Sequence, residues 1–478
     1  MNPALWSAAA GLALALTSVP FAWSWLAPLP LAVLFHEVSQ ARSRRAAFLL
    51  GLVAGTAFFA VHLAWLFTSF IRLFGPAGGA VTLLVVPLLA LSWGLAAFLA
   101  RTRSPLRTLI VLPFAWLLSE YARTLGPLAF PWGALGYAFL PTPLVQVADL
   151  GGVSLVSLLV TLAAAGLAAA AQGHRVLPSC VLALLGLVAT YGFTRPEPAP
   201  PDRTALLVQG AVPPLQKAAE RDPSEWERYL TLTRRGLRNG AVDLIVWPES
   251  ASPFPPTQPH VGAALGALGV PVVMGAPSGE GSMYWNSAYA YDRGVTGRYD
   301  KVHPVPFGEF FPWRQTLAFA YDPMLRALGL PGLLGVTPGA TYASLPLRRD
   351  QVGAYISYES VFPQAARQLT LDGARVLTHL SNDAWFDGTS GKEQHFQMGR
   401  LRAIETRRYV LRASNNGISG AIDPRGQVQL RFPEGVRATF RAPFKSSSVI
   451  TPYVRWGDWP VVFAAFSWAV LAFVRWPY

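Results

Sequence analysis

The chain of 478 residues has a single cysteine, Cys180, and it lies inside an apolar stretch. One cysteine excludes a disulfide framework, a thiolate metal site and a cysteine nucleophile in the less apolar part of the chain. Charge is scarce as well. Only 14% of residues are charged, 52% are hydrophobic and the mean hydropathy is +0.34. A soluble chain needs more charge than this to cover its surface, which argues against one large soluble enzyme. Lysine is nearly absent, occurring at Lys217, Lys301, Lys392 and Lys445, so the net charge of +13 is almost wholly arginine. No Lys/Arg run is interleaved with aromatics, so nucleic acid is not an expected partner. Cytoplasmic loop charge and attraction to anionic lipid account for the excess. His36, His62, His174, His260 and His395 show no metal-ligand spacing with acidic or cysteine partners, so neither a metal nor another cofactor is expected.

What the chain does have is apolar residues, unevenly placed. They dominate from Leu5 to Phe193, thin out in the middle and return from Pro460 to Trp476. The stretch from Leu5 to Phe35 is too long for one span and is broken by Pro20, Pro28 and Pro30, so two short helices are expected there. A secretory signal is the rival reading, but no basic segment precedes the stretch. At about 20 residues per span, further spans are expected over 46–70, 81–100, 108–122, 153–170 and 176–193, and an eighth over 460–476. Arg42, Arg44 and Arg45, then Arg101, Arg103 and Arg107, then Arg175 fall in alternate loops, whereas the opposite loops hold only Arg72 and Arg123. The positive-inside rule then puts both termini in the cytoplasm and residues 195–457 outside. The expected layout is seven spans in 1–194, a globular domain in 195–457 and the last span in 458–478.

Within that domain the hydrophobic period changes. ALLVQG, DLIVWPE, VPVVMGA, SAYAYD, VGAYIS, ARVLTHLSND and YVLRASNNG read as short strands. Residues 222–238, with Asp222 as cap and Pro223 in the opening turn, and residues 394–408 read as amphipathic helices. Alternating strands and helices indicate an α/β layered domain.

Three strand ends carry candidate chemistry. In LIVWPES, Glu249 follows an apolar strand, placed at a rim to act as general base or to remain a solvated surface group. RYDKVHPVPFGEF puts Lys301, His303 and Glu309 close together, as an oxyanion-stabilising cluster or an ordinary ion pair. In VGAYISYESVFP, Ser357 ends a strand just before a helix begins, the placement of a nucleophile or of a helix cap. A fourth segment, FFPWRQTLAFAYDPMLRALGLPGLLG, carries Trp313, Leu317, Phe319, Met324, Leu325, Leu328 and Leu333 with few charges. It is either an arm that dips into a bilayer or a helix packed in the domain core.

Taken together, these strings resemble the nitrilase superfamily, and with eight spans around the domain they resemble the apolipoprotein N-acyltransferases. FPWGALGY, SNDAWFDGTSGKEQHFQMGRLRAIETRRYVLRASNNGI and TPYVRWGDWP agree with this. The resemblance implies an α/β nitrilase-type αββα sandwich inserted in an eight-helix transmembrane bundle of a bacterial cytoplasmic membrane. It implies transfer of an acyl chain from a membrane phospholipid to the α-amine of an apolipoprotein's lipid-modified N-terminal cysteine. By position, Glu249 matches the general base, Lys301 the oxyanion-stabilising lysine, and Glu309 the second carboxylate. Tyr358 and Glu359 match the pair after the nucleophile. The resemblance also makes the apolar segment an arm over the lipid entrance.

Ser357 departs from the family pattern, which has cysteine there. A serine hydroxyl is far less acidic than a thiol, and its ester is a sluggish acyl donor. Serine works well when histidine activates it, and His303 and His379 are the candidates. Ala211 and Ala218 stand where the family shows asparagine and tryptophan. Three readings follow: an N-acyltransferase, a catalytically silent relative that binds phospholipid or lipoprotein, and a membrane-tethered amidase.

Overall fold

In the computed structural model of the chain, residues 2–18, 21, 23–212, 224–327, 335–348 and 350–473 are described. They form two compact units. The first comprises residues 1–196, 389–397 and 456–478, and the second residues 197–388 and 398–455.

The first unit is helical. Up to residue 196 its helices are α1 (Pro3–Leu16), α2 (Pro28–Gln40), α3 (Arg44–His62), α4 (Ala64–Phe74), α5 (Pro76–Ala100), α6 (Pro105–Ala122), α7 (Ala148–Ala171) and α8 (Val176–Phe193). Polar caps fix several starts. The side chain of Asn2 accepts from Ala4 N at 3.0 Å and that of Ser43 from Ala46 N at 3.1 Å. A proline opens α1, α2, α5 and α6, where its missing N–H costs nothing.

Two departures from the expected spans have local causes. The span expected over 46–70 is broken at Leu63 into α3 and α4. At the break, Leu66 N donates to Leu63 O at 2.8 Å, and the His62 carbonyl instead accepts Gln394 Nε2 at 3.0 Å. The span expected over 153–170 is preceded by a kinked turn. Gly151 and Gly152 leave helical geometry there, Gly152 with φ +65°. Among the described residues, the helices long and apolar enough to cross a membrane are Arg44–His62, Gly78–Ala100, Pro143–Ala171 and Val176–Phe193. The apolar helices Pro3–Leu16 and Trp459–Ala472 are shorter.

The second unit holds two six-stranded sheets. The first sheet comprises β1 (Arg203–Gln209), β2 (Leu244–Val246), β3 (Val272–Glu280), β4 (Met283–Tyr291), β5 (Val295–Asp300) and β12 (Ala438–Phe444). The second comprises β6 (Leu345–Leu347), β7 (Asp350–Ile356), β8 (Val376–Ser381), β9 (Val410–Ser414), β10 (Gly420–Ile422) and β11 (Val428–Arg431). The strand orders are β12-β1-β2-β3-β4-β5 and β11-β10-β9-β8-β7-β6. Each sheet has a parallel centre, β1–β2–β3 in one and β7–β8–β9 in the other, flanked by antiparallel strands.

Strand alternation builds the layers. Ala205, Leu207, Leu244 and Val246 of the first sheet share one core with Val352, Ala354, Ile356 and Leu380 of the second. The intervening Leu206, Val208, Ile245 and Met274 face outward. There they pack with Trp226, Tyr229 and Leu230 of α9 (Ser224–Leu237) and with Val261 and Leu265 of α10 (Pro259–Gly266). The expected opening of α9 at Asp222 and Pro223 lies outside the described residues. α11 (Ala318–Ala327) follows β5, and α12 (Pro363–Leu371) follows β7. On α12, Leu369 comes against Gly353 of β7. α13 (Gly391–Thr406) begins three residues before its expected start, and its Gly399 approaches His379 and Arg412. Its first residues, to Gln397, group with the helical unit and the rest with the sheets. Helices α14 (Pro452–Trp456) and α15 (Trp459–Phe473) end the described chain.

Candidate active site

The parallel strands β1, β2, β7 and β8 deliver their C-terminal ends to the site, the end of an open α/β sheet where ligands ordinarily bind. β5 is antiparallel to β4, which is antiparallel to β3, so β5 ends in the same direction as β2. Glu249 follows β2, Lys301 follows β5, Ser357 follows β7 and Asn382 follows β8.

Glu249 and Lys301 come together. Lys301 is 1% exposed, with Nζ 3.3 Å from Glu249 Oε1 and 2.8 Å from the Glu309 carboxylate. Burial alone would lower the Lys301 pKa, but the charges of Glu249 and Glu309 outweigh it and the net shift is upward. The lysine is therefore a fixed cation. Asn286, on β4, bridges the same two carboxylates, its Nδ2 donating to Glu249 Oε1 at 2.7 Å and to Glu309 Oε1 at 3.1 Å. Glu249 Oε2 accepts Asn382 N at 2.9 Å, and Glu309 Oε2 accepts Val305 N at 2.7 Å. Glu249 is thus not a rim carboxylate as expected. It is 6% exposed and held from both sheets.

The turn carrying Glu249 is tight. Ser250 has φ +51°, and β3 passes so close that a Cβ on Gly275 would lie 2.6 Å from Pro248 O and 2.7 Å from Glu249 Cα. Only glycine fits that crossing.

Ser357 occupies a strained elbow. Its φ is +49°, and the chain enters a 3-10 turn, Ser357–Val361, before α12. Non-glycine residues rarely hold such a backbone, and they do so where the surroundings impose it. Glu359 is part of what imposes it. Its Oε2 accepts Ile356 N at 2.7 Å, while Oε1 accepts the Tyr299 hydroxyl at 2.6 Å, Val302 N at 2.7 Å and His303 N at 3.2 Å. One buried carboxylate thereby fastens the serine turn to the loop that follows Lys301. Burial pushes its pKa up to about 7, against the pull of the Tyr299 hydroxyl, the Ile356 amide, Lys301 and the Val302 amide. Tyr358 is buried beside it, its ring edge-on to Phe362 at 5.2 Å.

The two candidate histidines are engaged otherwise. His379 Nδ1 lies 2.7 Å from Arg412 NH1, and its Nε2 lies 3.0 Å from the Ser357 carbonyl oxygen. A guanidinium only donates, so Nδ1 is the acceptor and Nε2 carries the proton. Asp383 anchors Arg412 in turn, at 2.5 Å. His303 Nδ1 lies 2.6 Å from the Tyr342 hydroxyl, its ring stacks on Phe362 at 4.4 Å, and burial lowers its pKa.

Asn286, Asn382 and Tyr299 are site residues that no motif in the sequence singles out. Asn286 had a signal, since asparagine is depleted inside strands and YWNSAYAY places it there. Ala211 has φ +49° and donates its N–H to Asn415 O at 2.8 Å, whereas Ala218 lies outside the described residues. Along the apolar segment, Trp313 and Phe319 are 53% and 77% exposed and Met324 is exposed too, but Leu325 is buried. The segment is not simply core, because one face of α11 is bare. Leu328 and Leu333 lie outside the described residues.

Comparisons with known proteins agree over both units. Residues 10–166 match the family model of the apolipoprotein N-acyltransferase N-terminal domain, and residues 207–452 match that of the carbon-nitrogen hydrolases. An apolipoprotein N-acyltransferase from Geobacter metallireducens is 34% identical, covering 95% of this chain and 91% of its own. One from Methylococcus capsulatus is also 34% identical, covering 97% and 94%. A solved carbon-nitrogen hydrolase from Helicobacter pylori superposes with a TM-score of 0.40 at 15% identity, covering 57% of this chain and 95% of that one. With its apolar helices of membrane-spanning length and its carbon-nitrogen hydrolase domain, the chain is a membrane protein that belongs to the apolipoprotein N-acyltransferase family, the acyltransferase branch of the nitrilase superfamily.

Proposed function

We propose that the chain moves an acyl chain from a membrane phospholipid to the α-amine of a diacylglyceryl-cysteine at the start of an apolipoprotein, through Ser357, Glu249 and Lys301. The observation that carries this reading is the Glu249–Lys301–Glu309 cluster around a buried lysine, with Glu249 bonded to the residue that follows β8 and Ser357 on an elbow at the end of β7. In the first half-reaction Ser357 Oγ attacks the ester carbonyl of the donor as Glu249 takes its proton. Lys301 offsets the charge that develops on the carbonyl oxygen. The lysophospholipid alkoxide leaves with that proton, and the acyl group stays on Ser357 as an ester. In the second half-reaction the lipoprotein amine attacks the ester carbonyl, Glu249 accepts the amine's proton, and Ser357 Oγ departs and recovers it. Glu309 orders the cluster, and Tyr358 and Glu359 support the elbow. The bare face of α11, with Trp313 and Phe319, serves as a lipid-facing arm.

In the same reading the chain lies in a bacterial cytoplasmic membrane as eight spans, with both termini cytoplasmic and the sheet domain outside. Reporter fusions after Arg103 should report cytoplasm, and fusions within 195–457 should report the outside. A cytoplasmic report from the domain would sink the lipoprotein assignment.

A second reading, a catalytically silent relative that binds phospholipid or lipoprotein, is favoured by the His379 tautomer. The lone pair that would activate a serine is committed to Arg412. Incubating purified protein with phospholipid and weighing the Ser357 peptide by mass spectrometry decides between them. An acyl adduct on Ser357 supports catalysis, and a folded chain with no adduct supports the silent relative.

A further inference from the structure

Arg123 caps the C-terminal end of α6, at the opposite end of that helix from the basic loop Arg101–Arg107. Eighteen helical residues rise about 27 Å, so the guanidinium sits roughly one hydrocarbon thickness from that loop, at headgroup depth. Aromatic rings gather at this level, as interfacial rings do. Trp132 stacks on Phe130 at 5.7 Å and packs on Trp65 at 5.1 Å, and the Arg123 guanidinium lies 5.4 Å from the centre of the Phe59 ring.

Only one side of the guanidinium is used. Arg123 NH1 donates to Trp132 O at 2.6 Å, whereas Nε and NH2 are buried without a hydrogen-bond partner. Those two nitrogens share one edge of the group, the fork that meets a phosphate or carboxylate with two parallel hydrogen bonds. The nearest carboxylate along the helix does not fill it. Glu120 Oε1 accepts Trp116 Nε1 at 3.0 Å and Leu135 N at 2.9 Å, and Oε2 accepts Ser157 Oγ at 2.7 Å. A buried cation with an empty fork is costly, and the chain after α6 turns back onto this residue: Phe130 N donates to the Arg123 backbone carbonyl at 2.7 Å, and Trp132 O accepts from NH1 at 2.6 Å.

We infer that the Nε–NH2 edge of Arg123 is the seat of a phospholipid phosphodiester, reached when the loop 124–131 lifts from the guanidinium. This inference rests on the lipid-substrate reading above and adds a phospholipid seat within the helical unit. Two N–H groups point along one edge, the phosphodiester offers two unesterified oxygens, and the depth is that of the headgroups. The aromatic rings beside the edge flank the glycerol and the first methylenes of the lipid. Arg123 binds the phospholipid and moves no proton.

The test is binding, so it does not depend on turnover. Full-length protein in detergent is offered equal amounts of phosphatidylethanolamine and a diacylglycerol with the same acyl chains, and retained lipid is counted by native mass spectrometry. The parent should prefer the phospholipid by about tenfold, Arg123→Gln should lose most of that preference, and Arg123→Lys, a charge without a fork, should keep part of it. Thermal unfolding checks that each variant is folded, and if Arg123→Gln is not, Arg123→Lys decides. Equal retention of both lipids by the parent means the edge holds structural water only, and the proposal falls. It falls equally if a folded Arg123→Gln, or a folded Arg123→Lys where that variant decides, keeps the full preference. A chain that binds phospholipid through Arg123 yet forms no Ser357 adduct keeps this site and loses the catalytic reading.

Discussion

His379 donates from Nε2 to the backbone oxygen of Ser357 at 3.0 Å, so this histidine steadies the elbow and does not act as a base for it. In the proposed mechanism the hydroxyl is activated by Glu249, a carboxylate already tied to a cation and two N–H donors. That is a weak base for serine and an adequate one for a thiol. Ser357→Cys should therefore raise N-acylation of a diacylglyceryl peptide by orders of magnitude over the parent, read as product per minute at equal protein. A parent already as fast as the variant would show that a group other than Glu249 activates the hydroxyl.

Lys301 stands between two carboxylates that share one asparagine donor. Lys301→Ala leaves the buried Glu249 and the partly buried Glu309 beside each other without a cation. Unfolding free energy should drop by about 3–5 kcal/mol and acyl transfer by about a hundredfold or more. Denaturant titration and turnover on the same preparation measure both. A variant as stable as the parent would mean the three groups are less coupled than their distances imply.

Glu359 gives a pH dependence of definite sign. Its ordinary value is 4.5 and its folded value is pushed up to about 7 by burial. Between those values the folded chain holds a proton that the unfolded chain lacks. This contribution is therefore full below about 4.5 and declines as pH rises through 7, by roughly 3 kcal/mol. Glu359→Gln should flatten that part of the stability curve. Tm measured from pH 4 to 8 for parent and variant checks it, and parallel curves would contradict it.

On α11, Phe319 is bare and Leu325 is buried. Phe319→Asp should leave Tm nearly unchanged while slowing transfer from a bilayer-resident donor. Leu325→Asp should unfold the segment, because burying an unpaired carboxylate is costly. Equal destabilisation by both would return α11 to the core and end its role as an arm.

Much of this was legible in the residues. ALLVQG, DLIVWPE, VGAYIS and ARVLTHLSND each proved to be a strand, because strands buried on both faces read as short, largely apolar runs. Glu249 and Ser357 stood out because each follows an apolar run, and Lys301 because it falls close to His303 and Glu309. What stayed hidden has physical reasons. β11 is four residues of half-exposed VQLR and β6 is three residues, too short for any period to show. Tyr299 and Asn286 lie inside or beside strands, where sequence does not tell which face they take. The break at Leu63 depends on a side chain more than three hundred positions away, since Gln394 supplies the donor that the helix forgoes. Arg123 reads in sequence as a single loop charge, and only its neighbours show that its Nε–NH2 edge is empty.

The crossing of β3 over the Glu249 turn makes one strand position an off-switch with no chemistry of its own. A single methyl group at Gly275 would meet Pro248 O, Ser250 N and Glu249 Cα, all within 2.7 Å. Gly275→Ala should therefore disarm the proposed site by moving Glu249 rather than by deleting any group assigned to the reaction. Such a protein should still bind both lipid substrates, because every polar side chain of the site is retained. Equilibrium binding beside turnover would show affinity kept and rate lost. A mutational survey confined to acids, bases and nucleophiles would pass over the position entirely, and a harmful allele there would look like a conservative change in a strand.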